Sequence, residues 1–383
     1  MTTVTREQAL RFRWRAQQLD SPPGSRAAAD VAILAAGAQD TGPDGALWAL
    51  AARGADVRAH EWPQDVALAW TLRGAPHAYR RADLPDVEAA LRPWSDADAA
   101  QRIFDASKPL RAAGIAPLDA LAHAAATMRG VVAAPMGKGA VSTAMTALVD
   151  EPYLRWCRGC QATHMYEMPF RLAALHAGLE LEPDTSPPVL VPVPGWSAGH
   201  VGHLEPVPVR PDLDLVRAAL RFVGPATPSL VAGFLDARLA DVRERWPADV
   251  VTVGLAGEER YVLAEDATAL DAAAEPPHEP TVRLVGPYDL SLQARDRELL
   301  VPDVARHKAL WPVLGRPGGV LLDGELVGTW RPRAKARRLA LALDPWVPWD
   351  ARLASAVAEE HARLAAFRGL EPDPKATRVN NCV

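Results

Sequence analysis

Two strings in this 383-residue chain carry residue types that could do chemistry, and a third looks as if it does. Gly195-Trp196-Ser197-Ala198-Gly199 matches a nucleophile elbow, in which a serine on a sharp strand-to-helix turn is held out for attack. An apolar run at 189–193 reads as the preceding strand. His200-Val201-Gly202-His203-Leu204-Glu205-Pro206 is poor helix material, however, and no βαβ series surrounds it. A Gly-rich connector is the preferred reading over a hydrolase. Cys157 and Cys160 with His164 offer two thiolates and an imidazole at metal-ligand spacing. His176, His200 or His203 would have to complete a tetrahedron, and small buried cysteines are favoured over a metal site. No metal and no cofactor is therefore assigned. Gly137-Lys138-Gly139 lacks the upstream glycine spacing and the following Ser/Thr of a phosphate loop, and is rejected.

The basic residues raise a different chemistry. Arg331-Pro332-Arg333-Ala334-Lys335-Ala336-Arg337-Arg338 has five basic residues and no acid. It follows one apolar strand pattern and precedes another, so it reads either as a hairpin loop for phosphate contacts or as a solvated charged loop. Arg11, Arg15, Arg53, Arg73, Arg80 and Arg81 could line the same face. The net charge of -5 argues against a bulk-basic nucleic-acid binder, so placement on one face has to matter. The heavy use of Ala and Arg fits a GC-rich coding sequence, and arginine abundance alone is no recognition signal.

The elements that must position these groups follow from pattern. Thr5-Arg6-Glu7-Gln8 is a capping box, followed by Ala9, Phe12, Ala16 and Leu19 on one helical face. A short helix is expected at 30–38, a turn at 40–45, a helix to about residue 53, and strands at 66–73 and 75–79. Three helices and a hairpin are the order of a winged helix. The clearest unit comes later: a stripe from Leu213 to Val223, a new start at Thr227-Pro228, a stripe through Leu235, Leu239, Val242 and Trp246, then strands at 250–253 and 260–264. Residues 97–210 are harder to read, with helices at 139–149 and 168–178 and a strand at 189–193. Strands at 282–285, 319–322 and 326–330, a turn at Asp323-Gly324 and a helix at 350–367 make up a C-terminal β-rich part. The segment after Gly369 reads as a disordered tail.

The chain resembles the bacterial AlkZ-like winged-helix proteins, which include DNA glycosylases that remove bulky alkylated bases and unhook interstrand crosslinks. The matching strings are Ala36-Gly37-Ala38-Gln39-Asp40, Leu72-Arg73-Gly74-Ala75-Pro76-His77, Gly224-Pro225-Ala226-Thr227, Gly286-Pro287-Tyr288-Asp289, Arg295-Asp296-Arg297, Lys308-Ala309-Leu310-Trp311-Pro312-Val313-Leu314 and 323–331. The resemblance implies an α+β fold: tandem winged-helix (helix-turn-helix plus β-hairpin) domains with a C-terminal β-rich part. The expected divisions are 1–95, 96–210, 211–275 and 281–369, with a tail from 370.

In the glycosylases of that family the first domain carries Gln, an apolar residue, then Gln or Asp. Gly37 stands where the first Gln belongs; Gln39 is retained and Asp40 follows. The resemblance implies that Gln39 orients water or sugar, that Asp40 stabilises the oxocarbenium-like cation, and that Arg73 and His77 contact the lesion strand. Asp40 serves equally well as a turn cap, and Gln39 as a backbone partner. Two functions stay open: a monofunctional DNA glycosylase without cofactor, or a non-catalytic winged-helix sensor or regulator. Both take double-stranded DNA through Arg11, Arg15, Arg53, Arg73, His77, Arg331, Arg333, Lys335, Arg337 and Arg338. No apolar run is long enough to span a bilayer, and the opening residues lack the apolar stretch of a secretory signal. A cytoplasmic monomer is expected.

Overall fold

The computed structural model describes residues 2–42, 45–197, 201–335, 337–373 and 378–379, with backbone alone at 334, 335, 378 and 379. Side chains set the helix starts. Thr5 accepts the Gln8 amide at the head of helix Arg6–Ala16, Thr227 accepts that of Leu230 at Pro228–Leu235, and Asp350 accepts that of Leu353 at Ala351–Phe367. Each bond satisfies an amide that the first helical turn would otherwise leave bare. The 30–38 segment departs from expectation. It forms short turns at Ala28–Asp30 and Ala32–Ala35, because Val31 is extended between them. Gly37 then turns the chain at φ +85° into strand Ala38–Gln39.

The strand Thr2–Val4 leaves the first segment altogether. It adds in parallel to Val250–Leu255, which pairs antiparallel with Glu258–Leu263. Helix Arg6–Ala16 goes with it: Gln8 donates to the Leu270 carbonyl, Arg13 to that of Gly224, and Gln17 to that of Phe222. Ahead of this hairpin lie helices Leu215–Val223, Pro228–Leu235 and Leu239–Glu244. The last is shorter than its apolar stripe, since Asp236 ends the preceding helix in the left-handed conformation.

A second sheet runs through Ala38–Gln39, Pro76–Arg80, Val66–Trp70, Leu179–Leu181, Val189–Pro192 and Met136–Gly137 in that spatial order. It takes strands from both sides of residue 95, so backbone hydrogen bonds bridge the break expected there. A separate two-stranded ribbon, Leu154–Cys157 with Ala162–Met165, projects from the same region.

The C-terminal sheet orders Val282–Val285, Gly318–Leu322, Glu325–Lys335, Arg338–Pro345 and Glu371–Pro372. Asp323 and Gly324 both take positive φ, the backbone of a tight hairpin turn whose twist matches its strands. The tail expectation is corrected here: 371–372 and 378–379 both pair in parallel with Arg338–Pro345. Residues 374–377 and 380–383 lie outside the described residues. Helix Gly45–Ala51 packs onto this sheet, with the Trp48 indole N–H donating to the Leu284 carbonyl at 2.7 Å and its ring 5.1 Å from that of Phe367. The N-terminal helix, residues 19–91 and the 213–263 unit share one apolar core that Val285 and Leu321 of the C-terminal sheet join, residues 103–204 build most of a second, and the C-terminal sheet forms a third with helices Gly45–Ala51 and Ala351–Phe367.

Candidate active site

The edge strand Ala38–Gln39 pairs with Ala78 and His77, and its alternation buries Ala38 while turning Gln39 toward the C-terminal part. There the Gln39 carbonyl oxygen accepts from the Gln293 side-chain amide at 3.3 Å, while its own amide donates to Thr41 Oγ1 at 3.0 Å. Gln293 also donates to the Tyr288 carbonyl and accepts from Arg73 Nη2 at 2.8 Å. Arg73 sits at φ 59°, in the left-handed region that costs a bulky residue about 1–2 kcal/mol, and its other amino group donates to the Phe234 carbonyl. Thr41, Gln39, Gln293 and Arg73 thus form one chain of side-chain hydrogen bonds.

This chain borders a cleft of about 300 Å³ lined by Gln39, Arg73, Tyr288, Gln293, Arg295, Arg297, Trp311 and Arg316, among others. Four arginines converge here. Burial first and then the Arg295 charge pull Arg73 below its ordinary value, and the same two causes lower Arg297. Arg297 lies 4.8 Å over the Trp311 ring and Arg316 5.1 Å over Tyr288, so the aromatic faces hold guanidinium groups that would otherwise repel one another. Among the described residues no carboxylate lines the cleft. Phosphate oxygens and a flat base are what such a surface is suited to hold.

Asp40 lies next in sequence but is used elsewhere: its Oδ1 accepts the Ala46 amide at 2.9 Å, fastening the start of helix Gly45–Ala51. Burial raises its carboxyl, with the Ala46 bond opposing. Behind Gln39, Gly37 leaves its space to Tyr79. The Tyr79 hydroxyl bonds Thr71 Oγ1 at 3.0 Å, and Thr71 bonds His77 Nδ1 at 2.9 Å. His77 Nδ1 also faces the Ala75 carbonyl, which can only accept, so this nitrogen carries the hydrogen.

A family model described as DNA glycosylase AlkZ-like matches residues 13–367. The chain belongs to the DNA glycosylase AlkZ-like family. The solved structure of Streptomyces sahachiroi DNA glycosylase AlkZ shares the fold with a TM-score of 0.69 at 20% identity, covering 99% of this chain and 100% of that one. No curated protein sequence matches the chain.

Two residues expected at DNA are buried, and the structure corrects both. Arg53 is fully enclosed in a two-pronged pair with Asp289 at 2.8 Å on each side. His77 is 2% exposed and committed to Thr71 and Ala75. Arg11 and Arg15 donate to the carbonyls of Ala272, Ala273, Ala274 and Glu275 and so fasten the end of helix Ala267–Ala272. Arg80 binds the Ala29 and Val31 carbonyls, and Arg81 pairs with Glu180. Of the early arginines, only Arg73 reaches the cleft.

The basic run forms the end of strand Glu325–Lys335 and the start of Arg338–Pro345. Arg331, Arg333, Arg337 and Arg338 are exposed there. The side chain of Lys335 and all of Ala336 lie outside the described residues. Arg331 donates to the Gly315 carbonyl, in the loop between the cleft residues Trp311 and Arg316, so the hairpin is tied to the cleft rim.

Sequence reasoning gave Tyr288, Gln293, Arg295, Arg297, Trp311 and Arg316 no site role. Four of them fall in the strings 286–289, 295–297 and 308–314 that carried the resemblance, which was the available signal. Among the described residues no helix directly follows the serine string, as an elbow would require. Trp196 lies against Gly178, Ser197 is exposed, Ala198 to His200 are outside the described residues, and turn and coil follow from 201 to 214.

The thiol pair sits at the tip of the ribbon. Cys157, Cys160 and His164 bring their ligand atoms within 4.8 Å of one another. Of the fourth ligands considered, His176 is buried against Glu88 at 2.6 Å, His203 is exposed outside the cluster, and His200 lies outside the described residues.

Proposed function

We propose that this protein binds double-stranded DNA through tandem winged-helix units and hydrolyses the N-glycosidic bond of a bulky alkylated base in the cleft at Gln39. The observation that carries this reading is the seating of Gln39 at the edge of a cleft lined by Arg73, Arg295, Arg297 and Arg316. An alkylated base that already bears positive charge leaves readily. The protein then has to hold the phosphates, keep the sugar in place and orient a water, which an amide side chain with an anchored carbonyl can do. The three helices and hairpin of 215–263 support a winged-helix unit, and the exposed basic hairpin at 331–338 supports phosphate contacts.

One observation favours the alternative, a non-catalytic binder that senses or regulates: Gly37 and the capping role of Asp40 leave Gln39 without a second polar residue of the family motif. Incubating the protein with alkylated and crosslinked duplexes and counting abasic sites decides between them. Product from wild type that falls about a hundredfold in Gln39→Ala supports the glycosylase. No product from either, with salt-dependent binding intact, supports the binder.

A further inference from the structure

We propose that Cys157, Cys160 and His164 form a binding site for a thiophilic divalent cation, zinc above all, with water in the fourth position. The ribbon register makes the site. Cys157 pairs with Ala162 and Arg155 with His164, so Cys157 and His164 point to the same face as diagonal neighbours across the two strands. The connecting turn brings Cys160 back over them, with Gln161 in the left-handed conformation at φ 52°. The ligand atoms lie within 4.8 Å of one another. Bond lengths of ~2.3 Å to sulfur and ~2.0 Å to nitrogen put the edges of a tetrahedron at about 3.3–3.8 Å. Cys160 is exposed and sits in the turn outside both strands, so its side chain can rotate toward the other two ligands with the strands in place.

Two further features pre-arrange these groups. His164 Nδ1 faces the Met165 carbonyl at 2.7 Å, which puts the hydrogen on that nitrogen and leaves Nε2 with a free lone pair. The backbone amides of Cys160 and Gly159 point at the Cys157 sulfur. A two-stranded ribbon has little core of its own, and this one leaves Trp156 59% exposed. Coordination at its tip would pin the two strands to one register. Each bound cation replaces two thiol protons, which pass to solvent, so affinity rises with pH as the thiols ionise. Among the described residues no fourth protein ligand joins the cluster, and this leaves one coordination position to water.

The test uses the full tag-free chain, purified under reducing conditions and then exposed to zinc chloride and desalted. Elemental analysis, thiol titration with an aromatic disulfide and the absorption of the cobalt-substituted protein are the readouts. Expected are one zinc per chain, two thiols protected until a chelator is added, and thiolate-to-cobalt charge transfer with a tetrahedral visible band. Cys160→Ser and His164→Ala should each lower zinc content about tenfold, with circular dichroism unchanged, while Cys382→Ser keeps it. Zinc content that is negligible in wild type, or equal in wild type and both ligand variants, overturns the proposal. So does an intact mass two hydrogens light with no metal, which would make the pair a disulfide.

Discussion

The Tyr79 hydroxyl oxygen lies 2.5 Å from where a Cβ on Gly37 would stand, closer than any side chain tolerates. Gly37 and Tyr79 therefore occupy one space between them. Glycine at this position is accordingly a matter of packing: the Tyr79 ring fills the volume, and Thr71 satisfies its hydroxyl. Gly37→Gln should not restore a motif. It meets both the ring and a φ of +85°, and should lower stability by about 2–4 kcal/mol. Combined with Tyr79→Ala, it should cost less than the sum of the two single losses, because the clash disappears and only the backbone strain remains. Urea unfolding of the two singles and the double forms the cycle, and a Gly37→Gln variant as stable as wild type would refute the shared space.

Arg53 should matter to the fold and not to DNA. Burial alone would push the Asp289 carboxyl up, but the Arg53 charge and hydrogen bonds, with Ser291, outweigh it and hold Asp289 below the usual carboxylate range. Removing one partner leaves the other charge buried, so Arg53→Met should lose about 3–5 kcal/mol, while Arg53→Met with Asp289→Leu should lose much less. Thermal unfolding reads the stabilities, and duplex affinity at low temperature should stay unchanged in the double variant.

The basic hairpin should set the salt dependence of duplex binding. Replacing Arg333 or Arg337 by Gln should each lower the slope of log affinity against log salt by about one, on undamaged DNA of any sequence. Arg11→Gln and Arg15→Gln should leave that slope alone, because their guanidinium groups are spent on the 272–275 carbonyls. Fluorescence anisotropy over a salt series separates the two sets.

His77 should make the fold acid-sensitive. Burial, then the charge of Arg73, holds its pKa down to about 3 against a slight opposing pull from the Ala75 carbonyl. Unfolded, the same imidazole titrates near 6.5, so between pH ~6.5 and ~3 the unfolded chain binds a proton that the folded chain refuses. Stability must then rise with pH across that window and fall as pH drops through it. Urea midpoints from pH 7 to 5 should show a positive slope that His77→Asn flattens, even though the variant is less stable throughout. An unchanged slope would mean that His77 is charged in the fold.

Much of the local architecture was legible because its causes are local. Thr5, Thr227 with Pro228, and Asp350 each bond an amide within a few residues, and Asp323-Gly324 makes a turn that alternating strands flank. The 30–38 helix was misread because its apolar residues pack on a sheet edge, which no helical period reports. The cleft was hidden for a different reason. Gln39 meets Gln293 across 254 residues, and nothing in either neighbourhood announces the other.

From its residues alone, this chain determined where its helices start, where its hairpins turn, and which family its strings resemble. Tertiary structure decided what each arginine is for. Arg53 faces Asp289 in the core, Arg11 and Arg15 face carbonyls at a helix end, and Arg73 faces Gln293 at the rim of the cleft. The physical reason is that capping and turn bonds are made within a few residues, whereas the role of a guanidinium depends on which distant oxygen packing brings to it and how much water packing leaves around it.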